Sequence, residues 1–341
     1  MQAEQALSGA RTPLNVFLTV DTEIWPFCTG WPTTPLPSTK TDFSDEINRY
    51  VDGVTLVGDF GVPFQIRLLN EHGLKATYFV EALAAPVIGM RALQHIVGLV
   101  QDSGQEVGLH VHTEWLGDIP TLGLPRRQNI HEYGMAEQAR IITAAAENLR
   151  QCGVTTAPAF RAGNFGANSE TLHALRENGF AFDTSLNVPC LGAACQMAEL
   201  GECRQPVRHH GVWEFPVTYF SDYPGHYRHM QLCACSFAEM REALLWAWRN
   251  GWCSFVIVLH SFELLKNHNR PETALLSNKI VVSRFEKLCR FLAANPDKFR
   301  AAVFSDLDAA AIPELAPRDV YRSALGRTVF RHVEQVVGEW L

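Results

Sequence analysis

One pattern limits what this chain can fold into: short apolar runs alternate with helix-period stripes over about 300 of its 341 residues. Residues 14–20 (LNVFLTV), 76–80 (ATYFV), 106–110 (EVGLH) and 157–161 (APAFR) read as strands. So do residues 180–184 (FAFDT), 212–218 (VWEFPVT), 254–259 (SFVIVL) and 301–304 (AAVF). Helical segments fall between them. Residues 62–71 end at Gly73. The stripe Met90, Leu93, Val97 and Val100 stops at Gly104, and Met135, Ala139, Ile142, Ala146 and Leu149 stop at Gly153. A brief helix with Leu172 and Leu175 ends at Gly179. Ser236 and Glu239 form a capping-box signature before Met240, Leu244 and Trp248, and a stripe of Val281, Phe285, Leu288 and Leu292 follows. Strands alternating with helices predict a parallel sheet with crossover helices. Seven or eight such units with no linker between them fit an α/β fold, a (β/α) barrel in a single domain. Residues 1–13 read as a tail and 14–307 as the barrel. Residues 308–341 read as a helical extension, with Leu325, Val329, Val333 and Val336 on one side packing on the barrel.

Several function classes recede. Lys and Arg total 29 against 36 Asp and Glu, a net charge of -7, so backbone-driven nucleic-acid binding is not expected. The longest apolar runs, such as residues 255–259, are too short for a transmembrane segment. The start, MQAEQALSGARTP, lacks the basic and apolar regions of a secretory signal. The nine cysteines have no disulfide or zinc-ribbon spacing, so a cytoplasmic protein with reduced thiols is expected. No G-x-S-x-G elbow or catalytic cysteine signature is present. The turn at residues 160–166 matches neither nucleotide-binding glycine pattern.

What remains is a matter of position. Asp21 and Glu23 follow the first strand, His110 and His112 end the third, and Arg161, Asp183 and His260 end three others. In a parallel barrel all strand C-termini open on one face. Residues i and i+2 of an extended chain point the same way, so His110 and His112 can reach one ion, and Asp21 and Glu23 can share its neighbourhood. Two imidazoles and one carboxylate leave a coordination position open, the pattern of a catalytic zinc site. Glu114 is a further oxygen donor. One of Asp21 and Glu23 can ligate while the other takes a proton from water. Arg161 suits a bidentate clamp on a carboxylate. Alone, His260 is an ordinary core histidine; facing Asp183, it becomes a general acid. Trp25, Trp31 and Trp115 sit beside these motifs and can stack on sugar faces. Trp25, Trp115 and Asn164 are the candidate substrate contacts.

TVDTE, EVGLHVHTEW, FRAGNFG, FDTSLN and VLHSF stand in the order and approximate spacing of five motifs. In this the chain resembles the polysaccharide deacetylases of the NodB-type homology domain, as a divergent branch, over roughly residues 14–307. The resemblance implies a distorted (β/α)7 barrel and metal-dependent hydrolysis of a C–N amide bond, chiefly N-deacetylation of an N-acetylated sugar or polysaccharide precursor. A few relatives act on other amides. By motif, Asp21 resembles the catalytic base, Arg161 its tether, Asp183 the residue that tunes the acid, and His260 the acid. His110 matches the first metal-binding histidine. Two positions depart from the pattern: Thr22 replaces a ligating aspartate, and Glu114 replaces a second histidine. The expected metal set is therefore Glu23, His110 and His112, with Glu114 the alternate and Zn2+ the ion. The expected partner is a carbohydrate substrate. The rival readings are a hydrolase of a non-carbohydrate amide on the same fold and a non-catalytic carbohydrate-binding relative.

Overall fold

The computed structural model describes residues 11–315, 319–324, 326–328, 331 and 334. The apolar runs become β1 (Leu14–Thr22), β2 (Thr77–Glu81), β3 (Glu106–Val111), β4 (Ala159–Ala162), β5 (Phe182–Asp183), β6 (Val212–Glu214) and β7 (Ser254–His260). These seven are parallel and lie in the order β7-β1-β2-β3-β4-β5-β6. A short β8 (Phe299–Ala301) runs parallel to the N-terminal end of β1, and the strand Val207–His209 adds antiparallel to β6. The helices that cover the sheet are α1 (Val62–Glu71), α2 (Met90–Asp102), α3 (Met135–Gln151), α4 (Ser169–Glu177), α5 (Phe237–Arg249) and α6 (Lys279–Ala293). The predicted capping box opens α5: the Ser236 backbone N–H donates to Glu239 Oε2 at 2.9 Å, and Ser236 Oγ accepts from the Glu239 N–H.

The sheet curls without forming a regular closed ladder. Between β6 and β7 irregular chain bridges the gap. Thr218 N–H donates to Val256 O at 3.2 Å, Val258 N–H to Met230 O at 2.8 Å, and Leu232 N–H to Val258 O at 3.0 Å. Pro216 lacks an N–H and breaks the predicted strand 212–218, so β6 ends at Glu214. The barrel is distorted at this seam.

Side-chain alternation divides the strands into two faces. Outward residues such as Val16, Leu18, Leu109 and Phe160 join the helices in the main core. Inward residues Phe17, Phe79, Phe182, Trp213, Phe215 and Val256 meet Phe304 in a separate aromatic plug. The Phe17 and Phe304 rings stack at 4.9 Å. An apolar plug at the N-terminal half leaves the C-terminal half of the interior for polar groups.

Leu325, Val329, Val333 and Val336, the proposed stripe of the C-terminal extension, lie outside the described residues. Within that extension, Arg331 is fully buried and donates to Glu239 at 2.8 Å and Asp222 at 2.9 Å. This ties Arg331 to α5 and to the seam. No helix among the described residues is long and apolar enough to cross a membrane.

Candidate active site

The inward phase set by Phe17 carries through Thr19 to Asp21, and the phase set by Val256 carries to His260. Asp21 and His260 are register partners across β1 and β7. Likewise His110 of β3 stands opposite Arg161 of β4. Glu23 and His112 continue the same phase just beyond their strands. All of these but Arg161 line a pocket of about 170 Å³, together with Trp25, Ala162, Asn164 and Phe165. A larger crevice of about 760 Å³ opens beside His268 and Arg270. Chemistry, not volume, singles out the smaller one.

Glu23, His110 and His112 each bring one ligand atom to within 4.8 Å of the others, and all three are buried. His110 Nδ1 donates to the Arg161 carbonyl at 2.8 Å, which leaves Nε2 free to ligate. His112 Nε2 lies 2.7 Å from Glu23 Oε2, yet the contact is not aligned as a hydrogen bond, and Oε2 has no hydrogen-bond partner. A buried, unpartnered carboxylate oxygen crowded against an imidazole nitrogen fits a shared cation. Glu114 stands elsewhere: its Oε2 is 3.3 Å from His112 Nδ1, and its Oε1 accepts from Asn164 Nδ2 at 2.9 Å. It orients the ring from behind rather than joining the cluster. Gly163 permits this packing, because a Cβ there would sit 2.6 Å from His112 Nδ1.

Charge follows geometry. Burial alone would raise the Glu23 carboxyl, but His112 beside it, helped by His260 and His110, brings it down to about 2. For His110, burial dominates and lowers the imidazole to about 4. Burial also opposes charge on His112, but the Glu23 charge beside it and the hydrogen bond that Glu114 accepts outweigh it and raise that ring well above its usual range. Glu23 is thus ionised and His110 neutral, the forms in which each can ligate, while His112 holds a proton that a cation would have to displace.

Arg161 is fully buried, and its Nη1 donates to Asp21 Oδ1 at 2.7 Å. The expected bidentate clamp is not formed. Nε and Nη2 turn instead to the carbonyl and hydroxyl of Thr184, at 3.1 and 3.3 Å. His260 is about one-fifth exposed, with Nε2 3.6 Å from Glu23 Oε1.

Asp183 does not face His260. Phe182 points inward, so Asp183 points outward, beneath the helices, in register with Glu214. Both are fully buried. Burial raises both carboxyls, the charge on Asp183 raises Glu214 further, and a hydrogen bond joins them, with Glu214 as donor. The folded state thus holds a proton that the unfolded chain releases in the ordinary carboxylate range. Stability falls as pH rises from that range through the folded pKa, by at most about 1.4 kcal/mol per pH unit. Glu214→Gln supplies a permanent donor and keeps an oxygen for the Leu186 N–H, which Glu214 Oε1 accepts at 2.9 Å. In denaturant titrations between about pH 5 and pH 8, the variant should gain on the natural protein as pH rises. A constant difference between the two would contradict a shared proton.

Trp115, expected at the substrate, is fully buried and packs on Trp31 at 5.0 Å. It supports the loop from inside. Trp25 lines the pocket, its ring edge-on to His112 at 4.6 Å. Asn164 and Phe165 both take positive φ, 56° and 58°, and this turn brings both to the pocket. Phe165 was not anticipated, although it lies within the quoted FRAGNFG motif. Glu81, also unanticipated, is buried and accepts from the backbone N–H groups of His112, Leu83 and Ala84. Burial raises it to about 8 despite these bonds.

No protein-family model matches the chain, and no curated protein matches it. Among solved structures, the chain is similar to a candidate polysaccharide deacetylase from Mycobacterium smegmatis. Identity is 17%, 93% of this chain and 96% of that one are covered, and the TM-score is 0.55. A family 4 carbohydrate esterase from Streptomyces lividans follows, at 14% identity, 89% and 98% coverage and a TM-score of 0.40. A CE4 family pseudoenzyme from Bacillus anthracis has 11% identity, 82% and 62% coverage and a TM-score of 0.36. Only the first of these carries weight, and what it establishes is the fold.

Proposed function

We propose that this chain is a divergent polysaccharide deacetylase, a metal-dependent hydrolase that removes the acetyl group from an N-acetylated sugar. The observation that carries the reading is the Glu23, His110 and His112 cluster facing both Asp21 and His260 across one pocket. The donor set of two imidazoles and one carboxylate suits zinc. A bound divalent cation would polarise the amide carbonyl and lower the pKa of water. Asp21, held by Arg161, takes the proton of the attacking water. His260, across the register from Asp21, delivers a proton from Nε2 to the departing amine. Glu114 keeps the His112 ring in place.

A pocket of about 170 Å³ admits the acetamido end of a sugar rather than several rings. Trp25 at its edge offers an aromatic face to the sugar. None of the nine cysteines is paired in a disulfide, which suits the reducing cytoplasm. The substrate is then a soluble glycoside, a nucleotide sugar or an inward-facing lipid-linked sugar.

Elemental analysis after equilibration with zinc should give one ion per chain. His110→Ala and Glu23→Gln should each abolish stoichiometric binding, and Glu114→Gln should weaken it about 10–100-fold. Full occupancy in both ligand variants would overturn the assignment.

A further inference from the structure

With Asp183 on the outer face, another group has to orient His260. The chain bridging β6 and β7 supplies it. Residues 230 and 232 bond to β7 through Val258, which sets the Gln231 side chain beside the His260 ring. Gln231 Nε2 is 3.3 Å from His260 Nδ1 and 2.7 Å from Glu263 Oε1. On its other side, Gln231 Oε1 lies 2.8 Å from His229 Nε2. Glu263 is buried at 7% exposure, and Oε1 also accepts from the Cys233 N–H at 3.3 Å.

Hydrogen-bond complementarity leaves one arrangement. A carboxylate only accepts, so the Gln231 atom at 2.7 Å from it must be the NH2 group. A flipped amide would set two oxygens against each other. The same NH2 group has a second hydrogen directed at His260 Nδ1, which must then accept. In a neutral imidazole the remaining hydrogen sits on the other nitrogen. That nitrogen, Nε2, faces the pocket.

We propose that Glu263, acting through Gln231, is a positioning device that fixes the His260 tautomer with its hydrogen on Nε2. Glu263 thereby performs the orienting task that Asp183 is too far round the strand to perform. The catalytic consequence rests on the deacetylase reading: there the Nε2 hydrogen is aimed at the leaving nitrogen, and it is delivered once the ring takes a second proton at Nδ1, which then faces Glu263 Oε1, 4.0 Å away. The tautomer itself does not rest on that reading.

The test is nitrogen NMR of 15N-histidine-labelled, zinc-loaded protein at about pH 8, above the usual imidazole range. A His260→Gln spectrum assigns the His260 signals. In the natural protein, Nδ1 should appear unprotonated and Nε2 protonated. Glu263→Leu and Gln231→Leu should each populate the Nδ1–H form. Glu263→Gln can still offer an oxygen to the Gln231 NH2 group and should restore the original pattern. With an active substrate, Glu263→Leu should lower kcat on the order of 10²-fold with little change in KM. An Nδ1–H tautomer in the natural protein would overturn the proposal, as would an unchanged tautomer in a folded Glu263→Leu variant. The natural-protein spectrum decides even if the variants do not fold. The expected tautomer in a protein that hydrolyses no amide would leave this device standing and remove the deacetylase reading alone.

Discussion

Asp21→Asn should reduce turnover to near background while leaving fold and zinc content intact. The carboxylate sits on the inward phase of β1, with one oxygen held by Arg161 Nη1 at 2.7 Å. Asparagine keeps the shape and an oxygen for that bond, but it cannot accept a proton from water. Loss of a general base costs about 10²–10⁴-fold, and the upper end applies where no second base faces the water. Glu23, the other carboxylate of the pocket, is assigned to the cation. Steady-state kinetics beside elemental analysis check both halves of this expectation. If Asp21→Asn strips the metal, Asp21 is a ligand and Glu23 becomes the base.

The second large effect is on stability as well as activity. Arg161→Met fills much of the space but removes a cation that is fully buried, bonded to Asp21 and Thr184, and seated 4.7 Å from the Phe79 ring centroid. Asp21, only 3% exposed, is left as an unpaired buried charge. Removing one partner of such a pair costs about 3–5 kcal/mol. Chemical denaturation should show a loss of that size, and turnover should vanish because the base is no longer held. Much of the loss comes from the stranded carboxylate, so Asp21→Asn with Arg161→Met should be more stable than Arg161→Met alone. Additive losses would mean that the pair is not coupled as the geometry implies.

The barrel was legible because buried parallel strands write themselves as apolar runs, and all seven fall where the runs predict. The site was partly legible for the same reason. The i, i+2 spacing of Asp21 with Glu23, and of His110 with His112, survives folding because a strand preserves it. Reading strand ends without reading phase is what misplaced Asp183. The alternation from Phe182 turns it outward, and the aromatic plug that shows which phase is inward is a tertiary fact. Trp115 sits beside the strand-end motifs in sequence, but it is fully buried against the Trp31 ring, and no local pattern encodes that contact. Glu263 and Gln231 escaped notice because they meet 32 residues apart across an irregular seam, where no periodicity operates.

The central claim is that this pocket cleaves an amide with the help of a cation. Its direct measurement is acetate release from a panel of N-acetylated mono- and oligosaccharides, nucleotide-linked sugars included. The zinc-loaded protein, the same protein after chelation, and Asp21→Asn are assayed side by side. The account expects acetate from at least one sugar, loss of release on chelation, recovery on adding zinc back, and none from Asp21→Asn. Release that continues unchanged in the chelated protein or in Asp21→Asn would contradict it, and so would zinc bound at Glu23, His110 and His112 with no acetate from any sugar in the panel.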